Sequence, residues 1–264
     1  MGTQYLISST QNGLIKETAA LREHKARQET GLTLIDGQRE LERALQAGIK
    51  LVRVFFCPKL IQGKLNLKSL KSEGTECVEV TDHIFAKLAY GQRVEGVIGV
   101  ARVPSQALNG LKLSENPLIV VVESVEKPGN LGAILRTCDG AGVDALLIGD
   151  AKTDLYNPNV IRASVGTIFT VAAAVDTNEN IRAFLKTKGV KTLGTFPDAK
   201  DVYTKADLKG PLAVVLGTED EGLSPFWQRH CDRKAHIPMA GQADSLNVSV
   251  TAAIVVYEAL RQRA

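Results

Sequence analysis

The sequence predicts two α/β domains in tandem, the second of them built on a parallel sheet. Apolar, strand-like segments alternate with helical patterns in both halves of the 264-residue chain, as expected of an α/β fold. The run from Leu118 to Val122 has no polar residue, which is typical of a strand covered on both faces. Pro, Ser and Asn-Gly interrupt the pattern over residues 104–117, which indicates a linker. We therefore expect domains at residues 1–106 and 117–264, with a linker at 107–116.

The first domain is predicted to alternate strands with helices. Clusters of β-branched, aromatic and other apolar residues predict strands at 31–35, 51–56, 77–80 and 96–103. The spacing of Leu41, Ala44 and Leu45 is that of one helix face and predicts a helix at 39–48. Further helices are expected at 65–73 and 81–89.

The second domain is predicted to begin with its central strand. Apolar runs predict strands at 118–122, 145–148, 168–172, 191–195 and 212–217. Helices are expected at 131–141 and 246–261. No internal repeat and no low-complexity tract interrupts this order.

The composition argues against a membrane protein and against a metalloprotein. All apolar runs are far shorter than the ~20 residues that a bilayer span needs, and the first residues contain no apolar signal-peptide core. The four cysteines contain no C-x-x-C pair, and the four histidines show no metal-ligand spacing with them. We therefore expect a cytoplasmic protein with reduced thiols, no membrane partner and no metal.

Positive charge is concentrated in the first domain. The net charge is +4 over residues 1–106 and −1 over residues 107–264, giving +3 for the chain. Arg22, Lys25 and Arg39 belong to this basic region, which suits a surface that meets a polyanion such as RNA. Charge alone fits an ordinary solvated helix face equally well.

Three segments of the second domain place small or polar residues directly after predicted strands, where open α/β sheets bind ligands. In the first, Asn130 is expected to cap a helix that carries Arg136. In the second, two glycines at 217 and 222 enclose three acidic residues. In the third, Ser245 is expected to cap the last helix, with Asn247 in its first turn. Each segment by itself also fits a purely structural role.

Taken together and in order, the three segments are far more specific. N-x-G-x-x-x-R, G-x-E-x-x-G-L and I-P-M-x-G-x-x-x-S-L-N-V-S-V resemble the three motifs of the SpoU/TrmH family of RNA ribose methyltransferases, in the SPOUT superfamily. The resemblance covers about residues 117–264. Residues 36–42 and 96–100 are similar to signatures of the small α/β RNA-binding module that these enzymes often carry. Residues 157–164 resemble a stretch between the first and second motifs of the family.

The resemblance implies a SPOUT fold, in which the C-terminal segment of a parallel sheet threads a loop to form a deep trefoil knot. In the family, the knot loops bind S-adenosylmethionine, and no metal is required. The positions that match these loops here are Thr195, Gly217, Ile237, Met239, Gly241 and Leu246. The resemblance also implies a homodimer through the knot domain, and the apolar helix at 248–257 suits that interface.

The resemblance further implies a catalytic set, which consists of Arg136, Asn130, Glu219, Ser245 and Asn247. A ribose 2′-hydroxyl must lose its proton as it attacks the methyl group, and only RNA offers this hydroxyl. A free guanidinium has a pKa above about 12, so Arg136 acts either as the base or as a group that fixes phosphate and stabilises the developing alkoxide. Arg162 is a candidate for a further phosphate contact.

The expected function is therefore methylation of a ribose 2′-hydroxyl, and the expected substrate is large-subunit ribosomal RNA. The two-domain layout favours ribosomal RNA, because the simpler tRNA-directed relatives tend to carry short helical extensions. Two alternatives remain at this point, a tRNA 2′-O-methyltransferase and a non-catalytic RNA-binding or ribosome-assembly protein with a degenerate knot. The second alternative predicts loss of the motif residues, but Asn130, Arg136, Ser245 and Asn247 are all present. The target nucleotide and its base are not predicted.

Overall fold

The computed structural model describes four ranges of the chain, which are residues 6–61, 66–89, 95–218 and 221–264. None of the helices in these ranges is long and apolar enough to cross a bilayer. The same ranges contain no group of three or more His, Cys, Asp or Glu side chains arranged to hold a metal ion.

Two compact units make up the chain, and one of them is discontinuous. The first unit comprises Met1–Pro104 and Tyr156–Thr170, and the second comprises Ser105–Leu155 and Val171–Ala264. The predicted linker therefore packs as part of the second unit. Leu108 of this segment is buried, because its side chain joins the core of that unit.

The first unit contains a mixed five-stranded sheet with helices around it. Its strands are β1 (Leu6–Ile7), β2 (Leu32–Asp36), β3 (Leu51–Phe56), β4 (Glu76–Val80) and β5 (Val97–Arg102). Its helices up to residue 104 are α1 (Gly13–Ala20), α2 (His24–Thr30), α3 (Gln38–Gln46), α4 (Leu67–Ser72) and α5 (Asp82–Leu88). The strands lie in the order β1-β4-β3-β5-β2, and β5 runs antiparallel to both of its neighbours. The predicted alternation of strands and helices is confirmed.

The second unit contains a six-stranded sheet in which every pair is parallel. Its strands are β6 (Leu118–Glu123), β7 (Ala145–Gly149), β8 (Ala173–Asp176), β9 (Lys191–Thr195), β10 (Leu212–Leu216) and β11 (Arg233–Ala235). Its helices are α6 (Pro128–Ala141), α8 (Asn178–Thr187), α9 (Pro225–His230) and α10 (Val248–Arg263), while α7 (Pro158–Ala163) belongs to the first unit. The order β11-β9-β10-β6-β7-β8 places β6 and β10 in the middle, and both strands are fully buried.

The chain leaves the second unit after Leu155, and the segment from Tyr156 to Thr170 packs as part of the first unit. The Thr33 hydroxyl of β2 donates a 2.7 Å hydrogen bond to the carbonyl of Tyr156, and Val160 is fully buried. The strand predicted at 168–172 is wrong for this reason. Residues Thr167–Phe169 form a 3-10 helix instead, and the Ile168 side chain is buried in the first unit rather than in the parallel sheet.

The last helix crosses back over the sheet from its edge. Strand β11 lies at the edge beyond β9, whereas α10 packs against α6 and β10 near the centre of the sheet. Its C-terminal end is fixed by Arg263, whose guanidinium donates to the carbonyls of Leu208 at 2.9 Å and Asn116 at 2.9 Å. Partial burial lowers the pKa of Arg263 from its usual value. This chain path is compatible with the knot, which itself stays a prediction.

Candidate functional site

A cleft of about 810 Å³ lies at the carboxyl edge of the parallel sheet. Most of its lining comes from loops that follow β9, β10 and β11, at residues 195–197, 216–218, 221–222 and 236–239. The segment before α10 closes it. The six residues predicted to bind the cofactor all line this one cleft, although they lie far apart in sequence: Thr195, Gly217, Ile237, Met239, Gly241 and Leu246.

The loop after β10 brings two stretches of backbone into direct contact. Thr218 and Gly222 exchange a pair of backbone hydrogen bonds, each 3.1 Å long. A Cβ atom on Gly217 would lie 2.0 Å from the carbonyl carbon of Gly222, so only glycine fits. Glu221 lines the cleft, whereas Glu219, predicted to be catalytic, lies outside the described residues.

The loop from Ile237 to Leu246 leaves its backbone free for a ligand. Within the described part of the chain, no hydrogen bond involves the backbone groups of these residues. Free N–H and carbonyl groups beside a cleft are the groups that bind a polar small molecule without side-chain help. His236, just before the loop, also lines the cleft, and its Nδ1 atom is buried without a partner among the described residues.

The structure brings two predicted catalytic residues together at the start of α10. The Asn247 amide nitrogen donates a 3.2 Å hydrogen bond to Oδ1 of Asn130. Asn247 is also the N-cap of α10, since its Oδ1 accepts from the backbone N–H of Ser249 at 2.9 Å. The prediction that Ser245 caps this helix is therefore wrong. The helix begins at Val248, and Ser245 instead lies in the preceding loop and lines the cleft.

The sequence predicted Asn130 as the N-cap of its helix, and this prediction is wrong. Asn130 lies inside the helix, in its first turn. Helix α6 begins at Pro128, because a proline at the first position of a helix lacks only an N–H that would be unpaired there in any case. The side-chain nitrogen of Asn130 is buried, and it has no hydrogen-bond partner among the described residues. With its Oδ1 held by Asn247, Asn130 keeps an N–H group to offer a ligand.

Arg136 is exposed and is not among the residues that line the cleft of its own chain. Arg136 follows Asn130 by six residues in α6, so the two side chains point about 120° apart around the helix axis. No ion pair or hydrogen bond joins the Arg136 side chain to another described residue, and it does not line the cleft. Two positions farther along, Cys138 is fully buried, and burial raises the pKa of its thiol to about 12. It packs as a small apolar residue.

The four residues predicted to contact RNA fall into two groups. Arg22 donates a 2.7 Å hydrogen bond to the carbonyl of Lys87, near the end of α5, and Arg162 forms a 3.3 Å ion pair with buried Asp36. Lys25 and Arg39 have side chains that are 86% and 54% exposed. Arg22 and Arg162 therefore bind partners inside the first unit, whereas Lys25 and Arg39 form long ion pairs with Glu29 (3.9 Å) and Glu40 (3.7 Å) and remain largely exposed.

Sequence reasoning missed two acidic residues near the site. Glu123, at the end of β6, is buried and accepts hydrogen bonds from two other elements. Glu126 forms a 2.6 Å ion pair with Lys152, which connects the loops after β6 and β7. The hydrogen bond from Lys152 lowers the pKa of Glu126, and the same bond raises the pKa of Lys152. The only sequence signal was the presence of Glu123 at the end of an otherwise apolar run.

Comparison with known proteins agrees with this arrangement. A model of the SpoU rRNA methylase family matches residues 117–257, and a model of the MRM3-like substrate-binding domain matches residues 12–99. The 23S rRNA (guanosine-2′-O-)-methyltransferase RlmB of Ralstonia nicotianae is 35% identical over 203 residues, which are 75% of this chain and 81% of that protein.

Solved structures resemble the whole chain. The crystal structure of an RNA 2′-O ribose methyltransferase is 40% identical, covers 98% of this chain and 99% of its own, and has a TM-score of 0.83. An AdoMet-bound rRNA methyltransferase from Sinorhizobium meliloti is 26% identical, with 98% of each chain covered and a TM-score of 0.89. Because the first family model covers more than half of the sequence, the protein belongs to the SpoU rRNA methylase family.

Proposed function

We propose that this protein transfers a methyl group from S-adenosylmethionine to a ribose 2′-hydroxyl in large-subunit ribosomal RNA. The observation that carries the proposal is one cleft lined by residues of the second and third family motifs, beside which Asn247 of the third motif is hydrogen-bonded to Asn130 of the first. The relative from Ralstonia nicotianae is named for this reaction on 23S rRNA, and the structure from Sinorhizobium meliloti contains AdoMet.

The residues of the cleft suit S-adenosylmethionine. A volume of about 810 Å³ is within the range of small-molecule sites, and the free backbone groups at 237–246 match its adenine and amino-acid ends. The cofactor supplies a methyl group on a positively charged sulfur. The carboxylate of Glu221 in the wall favours this cation over a neutral ligand.

The chain's own residues orient the reacting ribose. Asn130 and Asn247 fix each other, so the free N–H group of Asn130 is preorganised to bind an oxygen of the substrate. Arg136 binds the target phosphate and stabilises the negative charge that develops on the 2′-oxygen. The Asn130–Asn247 hydrogen bond also joins α6 to α10, so both helices position the site.

We further propose that two copies form a homodimer through α10. Val250, Tyr257 and Leu260 lie along one face of this helix and are 45%, 49% and 39% exposed. Because Arg136 does not reach the cleft of its own chain, a second copy would bring its arginine to that cleft. Sedimentation equilibrium tests the dimer. Tyr257→Glu is expected to give monomers with little activity, whereas an active monomer would contradict the proposal.

The cysteines support a reducing, cytoplasmic location as part of the proposal. All four are free thiols, and two of them are fully or nearly fully buried. The knot is likewise proposed, supported by the path of the chain from the edge strand β11 back to the centre of the sheet.

Methyl transfer from tritiated S-adenosylmethionine to total RNA that lacks its native modifications tests the function. We expect label at one ribose 2′-oxygen of large-subunit rRNA, located by mapping the methylated position. Label in tRNA would keep the chemistry but overturn the proposed substrate. Absence of label in every RNA, with cofactor binding shown separately, would favour the alternative of an RNA-binding protein without activity.

A further inference from the structure

We propose that Glu123 is a positioning residue that holds the loop after β10 in the conformation that binds the cofactor. The inference rests on the proposed function. Only 4% of Glu123 is exposed, and the residue does not line the cleft. A buried carboxylate is costly unless it is hydrogen-bonded, so its partners indicate what it stabilises.

The two carboxylate oxygens of Glu123 bind different elements. Oε2 accepts a 2.8 Å hydrogen bond from the backbone N–H of Ser224, which ends the loop after β10. Oε1 accepts a 2.6 Å hydrogen bond from the amide nitrogen of Asn178, the first residue of α8. Glu123 therefore joins the end of β6 to the loop after β10 and to the start of α8.

Asn178 is held in a single orientation by its other contacts. Its Oδ1 accepts from the indole N–H of Trp227 at 2.8 Å, and its amide nitrogen also donates to Asp150. Both N–H groups and the carbonyl are thus used, and a flipped amide would place donor against donor. Gly149 allows this close approach, since a Cβ there would lie 2.0 Å from Oδ1 of Asn178.

These hydrogen bonds form a closed ring at the C-terminal end of the loop after β10. Trp227 is fully buried in α9, which begins directly after Ser224. In this ring, Glu123 is hydrogen-bonded to Asn178, and Asn178 is hydrogen-bonded to Trp227. The start of α9 connects Trp227 to Ser224, which is hydrogen-bonded to Glu123. It fixes the loop at the point where the chain leaves the cleft.

The described residues of this loop connect the anchor at Ser224 to the cleft. Thr218 and Gly222 are hydrogen-bonded to each other, and Leu223 is buried in the core. Ser224 follows directly. Losing its bond to Glu123 would leave a backbone N–H without its partner and shift the closed loop, which lines the cleft through Gly217 and Glu221.

The variant Glu123→Gln tests the inference by titration calorimetry with S-adenosylmethionine and by steady-state kinetics. Glutamine keeps the size of the side chain but places an N–H2 group against the N–H of Ser224 or of Asn178. We expect the Kd and the KM for S-adenosylmethionine to rise about tenfold, with kcat at saturating cofactor within about twofold of the original value. The KM for RNA should not change.

Two further variants separate positioning from simple stability. Trp227→Phe removes only the indole N–H from the ring, so we expect a smaller rise in Kd, of about threefold. It also carries the test if Glu123→Gln does not fold. Leu185→Ala creates a cavity in the hydrophobic core that also contains Trp227 but removes none of the hydrogen bonds of the ring, so it should lower the unfolding temperature and leave the Kd unchanged.

The outcomes are distinguishable. An unchanged Kd in Glu123→Gln, or an equal rise in Leu185→Ala, would overturn the role of Glu123 while leaving the proposed function intact. A loss of kcat with unchanged KM for the cofactor would also overturn it. If the unaltered protein does not bind S-adenosylmethionine at all, the proposed function fails first and this inference fails with it.

Discussion

The residues predicted to be functional have different surroundings in the two units of this protein. In the first unit, Arg22 and Arg162 were selected as RNA contacts, yet both bind internal partners. In the second unit, the six residues predicted to bind the cofactor line one cleft, and the side-chain nitrogen of Asn130 has no partner among the described residues. An excess of positive charge therefore does not identify which arginines can contact RNA. Motifs in a fixed order, in contrast, identify residues that lie around one site.

The same contrast exists between the two sheets. The parallel sheet of the second unit presents the carboxyl ends of β9, β10 and β11 at one edge, so the loops that follow them meet. In the mixed sheet of the first unit, β1, β2, β3 and β4 run in one direction, and the antiparallel β5 separates β2 from β3. We interpret the first unit as a surface for RNA and the second as the site of chemistry, and three substitutions test this division.

The largest effect is expected for Arg136→Ala. Removing the guanidinium should lower the rate of methyl transfer about a thousandfold, because it removes the positive charge that stabilises the developing alkoxide. The Kd for S-adenosylmethionine should stay within about twofold, since Arg136 does not line the cleft. Single-turnover kinetics and calorimetry measure the two quantities. Activity within a few-fold of the original would remove Arg136 from the mechanism.

An intermediate effect, on stability, is expected for Arg162→Ala. The change leaves the buried carboxylate of Asp36 without its ion pair, which should lower the free energy of unfolding by about 2 kcal/mol, reduced from the fully buried value because Arg162 is partly exposed. Chemical denaturation measures this. RNA affinity at a temperature well below unfolding should change little, and Arg162→Lys should recover part of the loss. A large loss of RNA affinity with full stability would restore Arg162 as an RNA contact.

The smallest effect is expected for the double variant Lys25→Ala and Arg39→Ala. Both side chains are exposed, so their removal should weaken RNA binding a few-fold at moderate salt and reduce the salt dependence of binding. Stability should not change. Lys186→Ala, an exposed lysine of α8, removes the same kind of charge from the second unit and is the matched control. Equal losses in both variants would show that the first unit has no special role in binding.

Much of the fold could be predicted because its signals are local. The strand bounds predicted at 51–56 and 191–195 agree with the structure, since apolar and β-branched runs determine them. The strand expected at 168–172 failed because the chain belongs to the first unit up to Thr170, and the strand begins only at Ala173. No local pattern reveals where the chain returns to the second unit.

The resemblance to the family selected six residues that line one cleft, but their role in binding stays a prediction. The caps of α6 and α10 were misplaced by a few residues, since Asn, Ser and Pro all favour helix starts. The internal bonds of Arg162 and Glu123 depend on residues 126 and 101 positions away, so sequence spacing gave no signal for them.

Calorimetric titration of S-adenosylmethionine into the unaltered protein and into Gly217→Ala tests the central claim, that this cleft holds the cofactor. A methyl group at residue 217 would lie 2.0 Å from backbone atoms of Gly222 and must displace the loop wall. The account predicts saturable binding to the unaltered protein and at least a hundredfold weaker binding to the variant, which should remain folded by circular dichroism. Equal affinity in the two proteins would contradict it.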